Sequence, residues 1–140
     1  MTASWSPTTR ETAALQRHAH VQRLPRVDAV WPWLADRHGL IAAVDAPHAA
    51  HPERFNFGEL AERIATAAAA FRRHGVKEGD VVALFAENSP RWLVADQGLM
   101  RAGAADAVRG ASAPVEELRY ILSDCQATAL VVQKAEVWRR

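Results

Sequence analysis

The sequence predicts an α/β fold: part of an open, mostly parallel sheet with flanking helices. Three observations carry that expectation. Residues Val81-Val82-Ala83-Leu84-Phe85-Ala86 are apolar throughout, as a strand covered on both faces must be. From there on, short apolar runs alternate with stretches of helical period, giving β-α-β-α-β. Capping residues and glycines fall at the boundaries that this alternation needs.

Taken in order, Met1 to Thr9 carries Pro7 and several hydroxyls without periodicity and reads as a loose terminus. Glu11 to Leu24 spaces Ala14, Leu15, His18, Val21 and Leu24 as one helix face, stopped by Pro25. Asp28 is placed to cap a short helix over Ala29 to Arg37, with Trp31 and Leu34 on one side and His38-Gly39 at its end. Leu40 to Val44 suits a strand, and Asp45 to Arg54, rich in Pro, His and Ala, reads as a loop. Asn56 and Glu59 then form a capping box, with Phe55 and Leu60 as its hydrophobic staple. Leu60, Ile64, Ala67, Ala68 and Phe71 make the inner stripe of this helix, and Gly75 closes it with Val76 against Phe71. After the apolar strand, Ser89 caps a helix that has Pro90 at its first position and ends at Gly103. Ala105 to Val108 is a short strand. Pro114, Glu116 and Glu117 open a helix whose inner face is Leu118, Ile121 and Leu122, and Ala129 to Val132 returns as a strand.

At 140 residues, with 49% apolar and 24% charged side chains, the chain can bury a core, so wholesale disorder and fibrous repeats are excluded. Seventeen basic against sixteen acidic residues, with no long block of either sign, leave no electrostatic footprint for nucleic acid. No stretch has the length and apolarity of a membrane-spanning helix, and the first thirty residues lack an apolar signal core. A lone Cys125 excludes an internal disulfide and a cysteine zinc site, and suits a reducing compartment. The Ser-, Thr- and Arg-rich start, with only Glu11 acidic before Asp28, has the composition of an organellar transit peptide.

Chemistry-bearing patterns are weak. The turn Glu87-Asn88-Ser89-Pro90-Arg91 has no glycine, so neither a dinucleotide fingerprint nor a Walker loop is present, and Ser89 reads as a cap rather than part of an anion site. His18 and His20 diverge on a helix, and His48 with His51 lacks a third ligand, so both pairs read as surface imidazoles. Ser123-Asp124-Cys125 has no histidine to activate it and reads as a helix end with a small buried thiol. Trp31 and Trp33, without a basic stripe, read as packing residues, and Glu116 and Glu117 as dipole partners of their helix. No catalytic, cofactor-binding or metal-ligating residue is assigned.

Several strings nevertheless add up. Phe55-Asn56-Phe57-Gly58-Glu59-Leu60, Gly75-Val76-Lys77-Glu78-Gly79-Asp80-Val81-Val82-Ala83-Leu84 and Asn88-Ser89-Pro90-Arg91-Trp92 together resemble the N-terminal region of AMP-forming acyl-activating enzymes. Ala95-Asp96-Gln97-Gly98-Leu99-Met100, Val108-Arg109-Gly110 and Val115-Glu116-Glu117-Leu118 are similar to the long-chain acyl-CoA and acyl-acyl carrier protein synthetase branch.

The resemblance runs from about Trp31 to Val132. It implies a ligase that uses ATP and Mg2+ to join a fatty acid to AMP and then passes the acyl group to coenzyme A or acyl carrier protein. It implies a cytoplasmic enzyme, peripheral at membranes at most. It also implies that residues 1–27 are a leading tail and helix, and that residues 28–140 begin the large adenylation domain and stop within it. The family's phosphate loop, adenine motif, ribose-binding Asp and lid Lys have no counterpart here, so the chain is expected to be inactive alone. The alternative is a freestanding α/β binding or docking module. In a truncated domain, the strands at Val81 to Ala86 and Ala129 to Val132 are expected to leave an edge unpaired, which favours association with the missing remainder or with a second copy.

Overall fold

A computed structural model describes residues 6–17, 24–49 and 52–140. Helix α1 spans Thr9–Arg17. It starts earlier than expected because Thr8 and Glu11 form a capping box: the Thr8 amide and hydroxyl donate to Glu11 Oε2 at 2.8 and 2.7 Å, and the Glu11 amide donates to Thr8 Oγ1 at 3.3 Å. The remainder of the expected helix, including His18 and His20, lies outside the described residues, and Leu24 is not helical.

A 3-10 turn over Val27–Ala29 leads into α2, Val30–His38. Asp28 does not cap this helix. The turn feeds straight into α2 with Ala29 already helical, so no extended residue offers a capping position, and the Asp28 carboxylate instead accepts from Arg26 Nε at 2.9 Å. Strand β1 runs Ala42–Ala46, two residues later than expected, and Leu40 is left 94% exposed in the connection. The loop expected through Arg54 also ends early, because Glu53–Asn56 forms strand β2, antiparallel to β1 with Val44 opposite Phe55. Four residues with charged or polar side chains at three positions give no alternation long enough to read as a strand.

Helix α3, Phe57–Arg73, is built as the sequence predicts. The Glu59 amide donates to Asn56 Oδ1 and the Asn56 amide to Glu59 Oε2, both at 2.8 Å. Phe55, Leu60 and Ile64 bury together under Trp31, Val44 and Leu93. Past the helix, Gly75 takes φ +95°, so that its amide reaches Arg72 O at 3.0 Å and the Val76 amide reaches Phe71 O at 3.1 Å, closing a Schellman motif. Asn56→Ala is expected to lower stability by about 1 kcal/mol, read as a fall in the urea midpoint at unchanged slope.

The rest of the chain is a parallel three-layer unit. Strand β3 (Val81–Phe85), helix α4 (Pro90–Ala102), strand β4 (Ala105–Arg109), helix α5 (Val115–Asp124), strand β5 (Ala129–Val132) and helix α6 (Ala135–Arg139) follow in order. The sheet runs β4-β3-β5 with every pair parallel. Strand β3 is therefore central and paired on both edges, which corrects the expectation that it would lack a neighbour. Its Val82 packs with Ala68, Val76, Leu99 and Ala102 of the α3 and α4 layer. Its Ala83 and Phe85 pack with Leu118, Ile121 and Leu122 of α5 on the other face. Helices α4 and α5 thus cover opposite faces, as two crossovers of one hand must when the strand order reverses.

Candidate functional site

In an open α/β sheet the natural crevice lies beyond the carboxyl ends of the strands, where the order of strands reverses direction. Here β4 lies to one side of β3 and β5 to the other, so that point falls between β3 and β5. A crevice of about 490 Å³ opens there, floored by Leu84 and Val131 and walled by Ser89, Trp92, Ala95 and Lys134.

The loops around it are tied together by one residue. The Glu87 amide donates to Gln133 Oε1 at 3.0 Å, just after β5, while its carboxylate accepts from the Ser112 amide at 3.0 Å, just after β4. Ser89 Oγ accepts from the Trp92 amide at 3.1 Å, so the hydroxyl is engaged as the N-cap of α4. Trp92 also brings a buried indole N–H into the α4 layer that meets no acceptor among the described residues.

A second groove, of about 520 Å³, runs between α3 and α4 over Thr66, Ala67, Ala70 and Val94. Glu53 stands between the two openings and lines both, accepting from Arg63 at 3.1 Å and facing Arg91 at 3.5 Å. These pairs are exposed enough to add little to stability.

Ser89 and its turn apart, the residues singled out in the sequence do not line this crevice. Trp31 packs into the α3 cluster and donates from Nε1 to Gln97 Oε1 at 2.6 Å, while Trp33 lies under the Arg37 guanidinium at 4.4 Å. Both are packing residues. Glu117 pairs with Arg109 Nε at 2.7 Å, which holds its carboxyl below the usual range. Asp124 accepts from Tyr120 Oη at 3.2 Å, and Cys125 is half-buried rather than fully enclosed. His48 sits in the turn after β1, and His51 lies outside the described residues.

Sequence reading missed one feature. Asp96, on the sheet-facing side of α4, is only 7% exposed, and Asp106 of β4 has its acid pKa raised to about 7, chiefly by burial and then by Asp96. The signal was present: Asp96 stands between Trp92 and Leu99 at helical spacing, a position that should be apolar.

A family model described as AMP-binding enzyme matches residues 31–140. The chain belongs to the AMP-binding enzyme family. Among curated relatives of this family, "Probable acyl-activating enzyme 16, chloroplastic" of Arabidopsis thaliana is 40% identical over 114 residues, covering 81% of this chain and 16% of the relative. "Long-chain-fatty-acid--[acyl-carrier-protein] ligase AEE15, chloroplastic" of the same plant is 38% identical over the same coverage. The chain therefore spans about one sixth of the length of these relatives. The N-terminal domain of FACL13 from Mycobacterium tuberculosis shares the fold with a TM-score of 0.76 at 19% identity, over 83% of this chain and 29% of that one.

The AMP-binding family implies ATP-dependent enzymes, and the described residues around the crevice do not fit a phosphate chain. The glycine-free turn after β3 commits the Ser89 hydroxyl to a helix cap and the Glu87 carboxylate to Ser112, and no group of three or more His, Cys, Asp or Glu able to hold a cation occurs among the described residues.

Proposed function

We infer that this chain is the leading part of the large domain of an AMP-forming ligase that activates a fatty acid and delivers it to a thiol, with residues 28–140 beginning that domain and residues 1–27 preceding it. The observation that carries this reading is the 38% identity over 114 residues to a protein named as a long-chain fatty acid to acyl carrier protein ligase. A carboxylate resists attack by a thiol, whereas its anhydride with AMP offers a good leaving group. Positioning and charge stabilisation are what such a protein must supply. The residues in hand contribute the first of these: a rigid three-strand platform with its loops tied through Glu87. Coenzyme A or acyl carrier protein would be the acceptor, and residues outside this segment would hold ATP and Mg2+.

The outer edges of β4 and β5 have no strand partner among the described residues, which supports association with the remainder of a longer protein or with a second copy. Described residues 6–17, 24–49 and 52–140 contain no helix long and apolar enough to cross a membrane. A reducing, aqueous compartment such as the cytoplasm fits the free Cys125, and the two plant relatives are named chloroplastic.

The test is isotopic exchange between ATP and pyrophosphate. The purified 140-residue chain, free of host ligase, is expected to leave fatty-acid-dependent exchange at background. The Arabidopsis ligase with its matching 114 residues replaced by those of this chain is expected to retain exchange within about an order of magnitude. Exchange by the isolated chain, or a folded chimera without any, overturns the reading.

A further inference from the structure

The crevice beyond β3 and β5 has an uneven lining. Its floor is apolar, with Leu84 of β3 fully covered and Val131 of β5 only half-buried, and Trp92 and Ala95 of α4 extend that surface up one wall. Val131 belongs only partly to the α3 and α4 layer, so an apolar strip of β5 stays open to the crevice. The charged groups in the lining are Glu53, Arg91 and Lys134. Glu53 accepts from Arg63 at 3.1 Å and faces Arg91 at 3.5 Å, so its charge is answered from two sides. Two neutral polar groups are engaged as well, the Ser89 hydroxyl in the helix cap and Gln133 Oε1 on the Glu87 amide. The Lys134 ammonium, by contrast, has no partner among the described residues.

An apolar floor beside one uncommitted cation is a selective combination. A phosphate chain brings several charges and many oxygens that such a floor cannot hydrogen-bond, and a neutral hydrocarbon leaves the ammonium unanswered. One negative group on a long apolar tail suits both parts, because the tail gains by leaving water while the head stays at the wet rim. We propose that this crevice holds the hydrocarbon tail of a fatty acid, with Lys134 pairing with its carboxylate at the mouth. The choice of acid rests on the ligase reading above, and the crevice adds the place where this chain holds it. Lys134 is exposed, so a carboxylate beside it faces outward, where groups from outside this segment can reach it.

Isothermal titration of the 140-residue chain with octanoate, decanoate and dodecanoate, each below its micelle concentration, tests the assignment. One molecule is expected to bind per chain, with affinity rising on the order of tenfold for every two methylenes added. Lys134→Gln, a change at an exposed side chain, is expected to weaken decanoate roughly threefold, the effect of one rim ion pair. Val131→Trp fills the floor and should abolish binding, whereas Thr66→Trp, which crowds the groove between α3 and α4 instead, should leave it intact. If Val131→Trp does not fold by circular dichroism, the tail-length series and Lys134→Gln still decide.

Affinity independent of tail length, several molecules per chain, unchanged binding in Lys134→Gln or in a folded Val131→Trp, or loss of binding in a folded Thr66→Trp overturns the proposal. Absence of binding overturns it too, and sedimentation of the same sample then shows whether a second copy covers the crevice. None of these measurements needs ATP or turnover. An active chimera beside a chain that binds no fatty acid would therefore remove this inference and leave the ligase reading standing, and an inactive folded chimera beside a chain that binds it would do the reverse.

Discussion

Phe85→Ala is expected to cost about 3–5 kcal/mol, a large share of the total stability of a domain of this size. The ring is 1% exposed and packs with Ala83, Ala113 and Leu118 beneath α5. Phe85 is also the last residue of the central strand, opposite Arg109 of β4 and Val132 of β5. Removing it opens a cavity where three strands and α5 meet, and neighbours pinned by two hydrogen-bonded ladders cannot collapse to fill it. Circular dichroism during urea titration should show the transition lost or shifted to low denaturant. A change no larger than that of Asn56→Ala would mean that the α5 face is not a packed core.

Gly98→Val is expected to be the next most damaging change, at about 3 kcal/mol, through crowding instead of a void. A Cβ at this position would stand 2.7 Å from Ala67 Cβ and 3.4 Å from the Ala68 backbone nitrogen, so α3 and α4 would have to separate. Gly98→Ala should already be harmful. Gly75→Ala makes the useful contrast, because nothing lies within 4 Å of a Cβ there and the cost comes only from its φ of +95°, about 1 kcal/mol. In thermal unfolding Gly98→Val should melt lowest, Gly98→Ala next and Gly75→Ala highest of the three. An innocuous Gly98→Val would show that the two helices do not cross in close contact.

What the sequence made legible was the part governed by local rules. The Asn56 and Glu59 box, the Ser89 cap with Pro90 behind it, and the Gly75 terminator are each a few residues long, and the structure places every one where the side chains dictate. The uniformly apolar β3 announced burial on both faces for the same reason. Legibility failed where a distant partner decides. Glu53–Asn56 becomes a strand because Ala42–Ala46 is there to pair with it, and Asp28 is diverted by Arg26 and a 3-10 turn that no single residue signals. The crevice between β3 and β5 depends on strand order, which periodicity does not encode. Asp106 stands unmarked in the short strand Ala105 to Val108, and it is burial under α4, then the nearby Asp96, that makes it a weak acid.

The placement of β5 has a consequence for how the chain is born. Residues 81–109 can close β3, α4 and β4 into one unit soon after synthesis, since those contacts are near in sequence. The other flank of β3 waits for Ala129–Val132, whose pairing with Val82–Phe85 spans the whole of α4, β4 and α5. On a ribosome adding about 5–20 residues each second, that flank stays bare for seconds, long on the scale of hairpin formation and long enough for a chaperone to find it. The most deeply buried strand among the described residues is thus the one whose second neighbour arrives late, and nascent-chain length, more than final stability, sets when it becomes safe from misassembly.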